Sequence, residues 1–177
     1  QMSLAKKDIL LPVKFILLNP LDIRVVGSAS FMSPQYMKVL NDYEIAQLKK
    51  ASKEDQLMKD AQDEIYKKAY LQPAINWAKS RGFTHPLSYL VIIDSFLQSG
   101  QVFQFLRNRF PEKTPIDGGD EKDWITAYVE TRHRWLSNHT NRAVRNSSYR
   151  TKDYLKMIAD NNWNLDAPVR ANGKLID

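Results

Sequence analysis

The spacing of hydrophobic positions changes near residue 30. Before it, residues 9–18 and 23–26 are apolar runs rich in β-branched side chains, separated by the turn-like Asn19 and Pro20, which is typical of short strands or an extended arm. After it, apolar residues recur every three or four positions, as on one face of a helix. The pattern therefore predicts an extended or β segment at residues 1–30 and a helical domain at residues 31–177.

Capping residues, glycine and proline divide the helical part into separate helices. Those predicted are residues 54–80, 87–97, 102–109 and 151–160, and one that starts after Asp120 and buries Trp124, Tyr128, Thr131, Trp135 and Leu136. Pro73 should end or kink the first helix, because proline lacks an N–H group. Thr84 and Asp120 are expected to be N-caps. The helix at residues 87–97 is apolar nearly all round, so it should be the buried central one.

Asp94 is the one charged residue of that apolar helix. Burying an ionised carboxylate costs several kcal/mol unless a cation pairs with it. Arg132 and Arg150 lie near aromatic residues on predicted helices, and the planar guanidinium group suits a carboxylate. We therefore predict a buried Asp94–Arg132 pair, extended by Arg150. Two interpretations stay open, since the pair either only joins helices or supports a reactive site.

Composition narrows the classes of partner and cofactor. The chain of 177 residues has no cysteine, so it has neither a disulfide nor a thiolate zinc site. Its three histidines lack the spacing of metal ligands, and no cofactor is expected. The net charge of +6 indicates an anionic partner surface or, equally well, a solvated basic surface without a partner. No run of about 18 apolar residues predicts a membrane span.

Several weaker signals have two interpretations each. His133 is expected at the surface. The basic cluster of residues 142–152, which includes Tyr149, could contact phosphate or a sugar, or form a solvated turn. Residues 117–120 resemble part of a calcium loop, but a capped helix start explains them better. Tryptophans such as Trp163 could stack on sugar rings, although at helical spacing most should be core.

Short segments in a fixed order carry a family resemblance. They are AQDEIY at residues 61–66, YLQPA at 70–74, GFT at 82–84, IDS at 93–95, GGDE at 118–121, YVETR at 128–132, YR at 149–150 and NWNL at 162–165. Over about two thirds of the chain, this ordered set resembles the larger, C-terminal lobe of the chitosanases of glycoside hydrolase family 46 and of related lysozyme-like peptidoglycan hydrolases.

The resemblance implies a mainly α-helical, lysozyme-like or chitosanase-like fold with a glycan cleft between two lobes. It also implies that Asp94, Arg132 and Arg150 form a network that supports the catalytic acid. Tyr149 and Trp163 are the candidate substrate-binding residues. No metal site is expected.

The catalytic acid itself is harder to place. In the family the resemblance points to, a glutamate near the N-terminus precedes a small β-rich lobe. Before residue 50 this chain has only Asp8, Asp22, Asp42 and Glu44, none in that context. Glu44 and Glu130 are therefore the glutamates to test. The chain is the C-terminal part of a larger enzyme, has a rebuilt small lobe, or has lost activity.

The function expected from the resemblance is hydrolysis of a β-1,4-linked amino-sugar glycan, peptidoglycan or chitosan. The basic charge favours peptidoglycan, because cationic chitosan favours an acidic cleft. The alternative is a non-catalytic glycan-binding or protein-interaction domain on the same scaffold, and nucleic acid is a less favoured partner. An upstream catalytic segment or a partner protein would complete the site. The resemblance implies a secreted, periplasmic or wall-delivered protein, although the sequence has no clear signal peptide.

Overall fold

The computed structural model describes residues 49–50, 52–171 and 174–176. This part is mainly α-helical with one small hairpin, which confirms the predicted fold class. The expected extended or β segment at residues 1–30 lies outside the described residues. None of the helices in the described part combines the length and apolar character that a membrane crossing requires.

The elements of the described residues follow one another with short connections. In chain order they are α1 (Gln56–Ile65), a π-helical segment (Tyr66–Leu71), α2 (Gln72–Ser80), α3 (Pro86–Ser99), α4 (Gln104–Arg107), a 3-10 turn (Pro115–Asp117), α5 (Glu121–Ser137), α6 (Arg142–Arg145), α7 (Ser148–Ala159), β1 (Val169–Ala171) and β2 (Lys174–Ile176). Strands β1 and β2 pair antiparallel, with Val169 opposite Ile176.

A π-helical segment takes the place of the break predicted at Pro73. The N–H of Gln72 donates to the carbonyl of Lys67, five residues earlier, and α2 continues from there with Pro73 in its first turn. The hydrogen-bond register therefore changes just before the residue that lacks an N–H group. As a result the helix continues through the proline and ends at Arg81 and Gly82, where Gly82 has a φ of +83°.

Helix α3 is the central helix, as predicted. Residues Leu87 to Leu97 are all buried, and α3 is packed against α2, α5 and α7. Gly100 ends the helix with a φ of +73°, a conformation that glycine adopts without steric cost. The charge of Asp94 is therefore held in the middle of the core.

The N-terminus of α3 is capped from another helix. Thr84 was expected to be the N-cap, but that position is His85, which makes no side-chain capping bond. The carboxylate of Glu121, on α5, accepts hydrogen bonds from the Thr84 N–H at 2.9 Å, the His85 N–H at 2.8 Å and the Thr84 hydroxyl at 2.7 Å. One carboxylate thus satisfies several donors at the start of the helix. The prediction that Thr84 is the N-cap was wrong, because the N-cap position is His85.

Other helix boundaries differ more modestly from the predictions. The helix expected at residues 102–109 is only one turn, Gln104–Arg107, and the last helix starts at Ser148 rather than residue 151. Asp120 does cap α5, accepting from the N–H groups of Lys122 and Asp123. The predicted buried face of α5 is present, except that Trp135 is only partly buried.

Candidate functional site

Asp94 lies between two arginines in the core. Its Oδ2 accepts from Nη1 of Arg132 at 2.8 Å, and its Oδ1 accepts from Nη1 of Arg150 at 2.6 Å. Asp94 is 0% exposed, Arg132 2% and Arg150 7%. The ion pair predicted from the sequence is therefore present, and it joins α3, α5 and α7 through a single carboxylate.

Gln98 accepts a hydrogen bond from the second branch of the Arg132 guanidinium group. One helical turn after Asp94, its Oε1 accepts from Nη2 of Arg132 at 2.5 Å, and Gln98 is itself half-buried. Burial lowers the pKa of Arg132, but the neighbouring Asp94 carboxylate outweighs this effect, and the pKa lies above its usual value. The guanidinium group therefore keeps its charge and its donors over any working pH.

Three tyrosines surround the network and remain neutral. Burial raises the pKa of Tyr128, and raises the pKa of Tyr154 well above its usual value, with the charge of Asp94 acting in the same direction. Burial and then the Asp94 charge raise the pKa of Tyr66 to about 12. The Tyr66 hydroxyl is buried and has no hydrogen-bond partner among the described residues. The network is thus enclosed by buried groups, with its negative charge held in one place.

The network can orient and stabilise a charge, but it is not itself an acid. Both carboxylate oxygens of Asp94 accept from guanidinium groups, and arginine does not release protons in proteins. Fixed positive charges in a water-poor site act strongly on any carboxylate placed beside them. The arrangement is therefore suited to hold and tune a reactive acid supplied by another part of the protein.

The two glutamates named as candidate acids are not brought to this network by the described residues. Glu44 lies outside them. Glu130 is exposed on α5, and since it is only two residues from Arg132, the two side chains leave the helix on different faces. Asp94 is the buried carboxylic acid of the described part. The structure therefore gives no support to Glu130 as a catalytic acid.

The candidate substrate-binding aromatics differ in exposure. Tyr149 is half-buried, and its ring centroid lies 5.7 Å from the guanidinium carbon of Arg150. Trp163 is only 6% exposed and packs between His85 and Lys122. The burial of Trp163 favours a core position for its ring over the expected stacking on sugar.

The structure adds contacts for two other sets of residues that were considered at the surface. His133 is part-buried, and its Nδ1 lies 2.8 Å from the Thr151 hydroxyl. The basic cluster of residues 142–152 is divided, because Arg150 faces the core and Arg145 donates to the carbonyls of His139 and Thr140. Among the described residues, no group of three His, Cys, Asp or Glu side chains could hold a metal ion.

Gln98, Glu121 and Tyr66 are the site and support residues that sequence reasoning missed. Gln98 had a signal, since it lies four residues after Asp94 and therefore on the same helix face. Glu121 and Tyr66 lie in two of the ordered segments, but nothing indicated their roles, because a cap supplied by a distant helix and a π-helical turn leave no local pattern. Each depends on contacts that form only when the helices pack.

A helical lobe built around a buried aspartate shared by two arginines is the architecture that the resemblance implied for glycan hydrolases. The model of glycosyl hydrolase family 46 matches residues 34–169, and the chain belongs to this family. The resemblance seen in the ordered segments is thereby confirmed.

Individual relatives agree with this assignment. A chitosanase of Bacillus subtilis strain 168 is 32% identical over 127 residues, which cover 65% of this chain and 46% of that protein. The chain thus spans just under half the length of this relative. Native chitosanase from Bacillus subtilis MY002 superposes with a TM-score of 0.63 at 21% identity, covering 98% of this chain and 79% of the other. A family 46 chitosanase of Gynuella sunshinyii, solved with chitotetraose, gives 0.63 at 19% identity, with 97% and 77% covered.

Proposed function

We propose that this chain forms the larger lobe of a glycosidase that cleaves a β-1,4-linked amino-sugar glycan. The observation that carries the proposal is the sharing of buried Asp94 between Arg132 and Arg150 in a chain of this family. Breaking such a network is costly and replacing it by apolar residues is often neutral or stabilising, so stability alone does not explain it. Support of a catalytic acid does.

Chitosan is the substrate that we favour over peptidoglycan. The curated relative is named a chitosanase, and similar structures were solved with chitotetraose and with 6 GlcN. The argument for peptidoglycan was the net charge of +6, which is a property of the whole chain and does not place positive charge along a glycan cleft. Since chitosan is a polymer met outside the cell, we also propose that the protein acts there or at a cell wall.

The acid would come from residues 1–48, where Glu44 remains the glutamate to test, or from a partner protein. An inverting glycosidase needs two carboxyls roughly 6.5–9.5 Å apart, one protonated and one ionised. The described residues offer no such pair, because their buried carboxylate, Asp94, already accepts from two arginines. The same observation favours a second candidate function, a non-catalytic glycan-binding or protein-interaction domain on the same scaffold.

Release of reducing ends from chitosan by the purified chain tests the two functions against each other. We expect hydrolysis by the wild type, loss of it in Glu44→Gln, and unchanged hydrolysis in the matched control Glu130→Gln. Binding to a chitosan column without any release of reducing ends would exclude an acid within residues 1–48 and would support the binding domain or an acid supplied by a partner protein. Hydrolysis of purified cell walls but not of chitosan would show that peptidoglycan, rather than chitosan, is the substrate.

A further inference from the structure

Arg132 does not bind Asp94 with both of its branches. An arginine beside a carboxylate frequently forms two parallel hydrogen bonds with it. Here only Nη1 of Arg132 contacts Asp94, through Oδ2, and Nη2 is 2.5 Å from Oε1 of Gln98. The second oxygen of Asp94, Oδ1, accepts from Arg150 at 2.6 Å. The amide of Gln98 thus occupies the branch that would otherwise compete with Arg150.

We propose that Gln98 is a positioning residue that keeps Asp94 shared between Arg132 and Arg150 by accepting the second branch of Arg132. Arg132 is 2% exposed, so Nη2 would lose its partner in a nearly dry site if Gln98 were apolar. A buried charged donor without an acceptor is strongly unfavourable. The guanidinium group would then turn both branches onto Asp94 and displace Arg150 from Oδ1.

The amide is suited to this role because it supplies an oxygen acceptor to Nη2 of Arg132. Arginine has only donors, so the oxygen of the Gln98 amide must face Arg132. The position of Gln98, one turn after Asp94 on α3, places both acceptors on the same face of the helix.

A double-mutant cycle between Gln98 and Arg150 tests the proposal, because Gln98 accepts from Arg132 whereas Arg150 donates to Asp94. The cycle compares the loss of melting temperature caused by Arg150→Met in the wild type and in Gln98→Leu. We expect the loss to fall to about half or less in the Gln98→Leu background, since Arg150 has already left Asp94. Losses that add would overturn the proposal and reduce Gln98 to a local partner of Arg132.

Two control variants separate positioning from general packing. Gln98→Glu keeps an acceptor in the same place and should restore the full effect of Arg150→Met. Gln72→Leu, the same change at an exposed position of α2, should be additive with Arg150→Met. If Gln98→Leu does not fold, Gln98→Met removes the amide oxygen at nearly constant side-chain length. A Gln98→Glu variant that behaves like Gln98→Leu would contradict the role assigned to the acceptor.

The expected effect of Gln98 on catalysis rests on the proposed function, and it is measured separately as kcat. With chitosan as substrate, Gln98→Leu should lower kcat by about tenfold or more, the loss seen when groups supporting a reactive site are removed, with little change in KM. Gln98→Glu should retain most of the wild-type kcat. If the wild type does not hydrolyse chitosan, the proposed function fails, while the melting-temperature cycle still decides the role of Gln98. An unchanged kcat in Gln98→Leu would overturn the positioning role.

Discussion

Helices α3 and α1 both carry an aspartate, but in opposite surroundings. Asp94 on α3 is enclosed by ten other buried residues of its helix and accepts from two buried arginines. Asp63 on α1 is exposed, and no residue of α1 is buried. Water and salt screen the charges of α1, whereas the charge of Asp94 acts on its partners in a medium of low dielectric constant. The surroundings of a carboxylate, rather than its presence, decide what it contributes to the stability of the fold.

The largest expected effect is at Asp94 itself. Asp94→Ala leaves Arg132 and Arg150 buried without their shared carboxylate and should lower the free energy of unfolding by about 3–5 kcal/mol. Asp63→Ala, the same change on α1, should cost no more than about 0.5 kcal/mol. Urea denaturation of both variants measures the difference. Equal stabilities would show that Asp94 is not the centre of the helix packing.

The sequence made Asp94 conspicuous because it is a lone charge in an apolar helix, and its need for a cation follows from electrostatics alone. The choice of Arg132 and Arg150 was also within reach, since both lie near aromatic residues on predicted helices. For Gln98 the one signal was its spacing, four residues after Asp94, because an uncharged polar residue in the last turn of a helix is otherwise ordinary. The local capping rule pointed to Thr84 and missed Glu121, because this carboxylate lies 37 residues further along the chain. Glu44 lies outside the described residues, so its role stays a prediction.

Glu121 is an intermediate case between the buried and the exposed carboxylates. Glu121→Gln removes the charge that faces the N–H groups of Thr84 and His85, and should cost about 0.5–2 kcal/mol, as loss of a helix cap does. The matched control is Glu130→Gln on the same helix, which is exposed and should change the stability little. Thermal unfolding at pH 7 compares the two, and a Glu130→Gln effect as large as that of Glu121→Gln would remove the capping role.

The stabilisation by Glu121 should depend on pH. Burial raises the pKa of the Glu121 carboxyl, but hydrogen bonds donated by the 84–88 segment outweigh it, and the pKa lies below its usual value of 4.5. A carboxyl whose pKa is lower in the folded state stabilises the fold above its usual pKa and loses this contribution as the pH falls through the folded-state pKa. The stability difference between wild type and Glu121→Gln should therefore shrink below pH 4.5. A constant difference down to pH 2 would contradict the role of the ionised form.

Removing the hydroxyl group from either of two tyrosines near Asp94 should change the free energy of unfolding by a smaller amount, with a different sign in the two cases. The Tyr128 hydroxyl donates to Ser95 at 2.9 Å in the core, so Tyr128→Phe should cost about 1 kcal/mol. The Tyr66 hydroxyl is buried without a partner among the described residues, so Tyr66→Phe should be neutral or stabilising. Unfolding free energies of the two variants give the comparison. A loss in Tyr66→Phe equal to that in Tyr128→Phe would reveal a hydrogen bond that the described residues do not supply.

The smallest effect is expected for an exposed ion pair between α1 and the π-helical segment. Glu64 and Lys68 form an i, i+4 pair, with side chains 62% and 76% exposed. The hydrogen bond from Lys68, and then its charge, lowers the pKa of the Glu64 carboxyl, but solvent screens such pairs and ordering two long side chains opposes them. A double-mutant cycle of Glu64→Ala and Lys68→Ala should therefore show no coupling in melting temperature beyond experimental error.

The salt dependence of that cycle completes the contrast with Asp94. Any coupling between Glu64 and Lys68 found at low salt should vanish as salt is added, because both groups are open to counterions. The coupling between Asp94 and Arg132 should persist, since neither group is accessible to ions. A Glu64–Lys68 coupling that resisted high salt would show that exposure to solvent does not explain the small effect of this pair. The contrast with the buried pair of Asp94 and Arg132 would then need another cause.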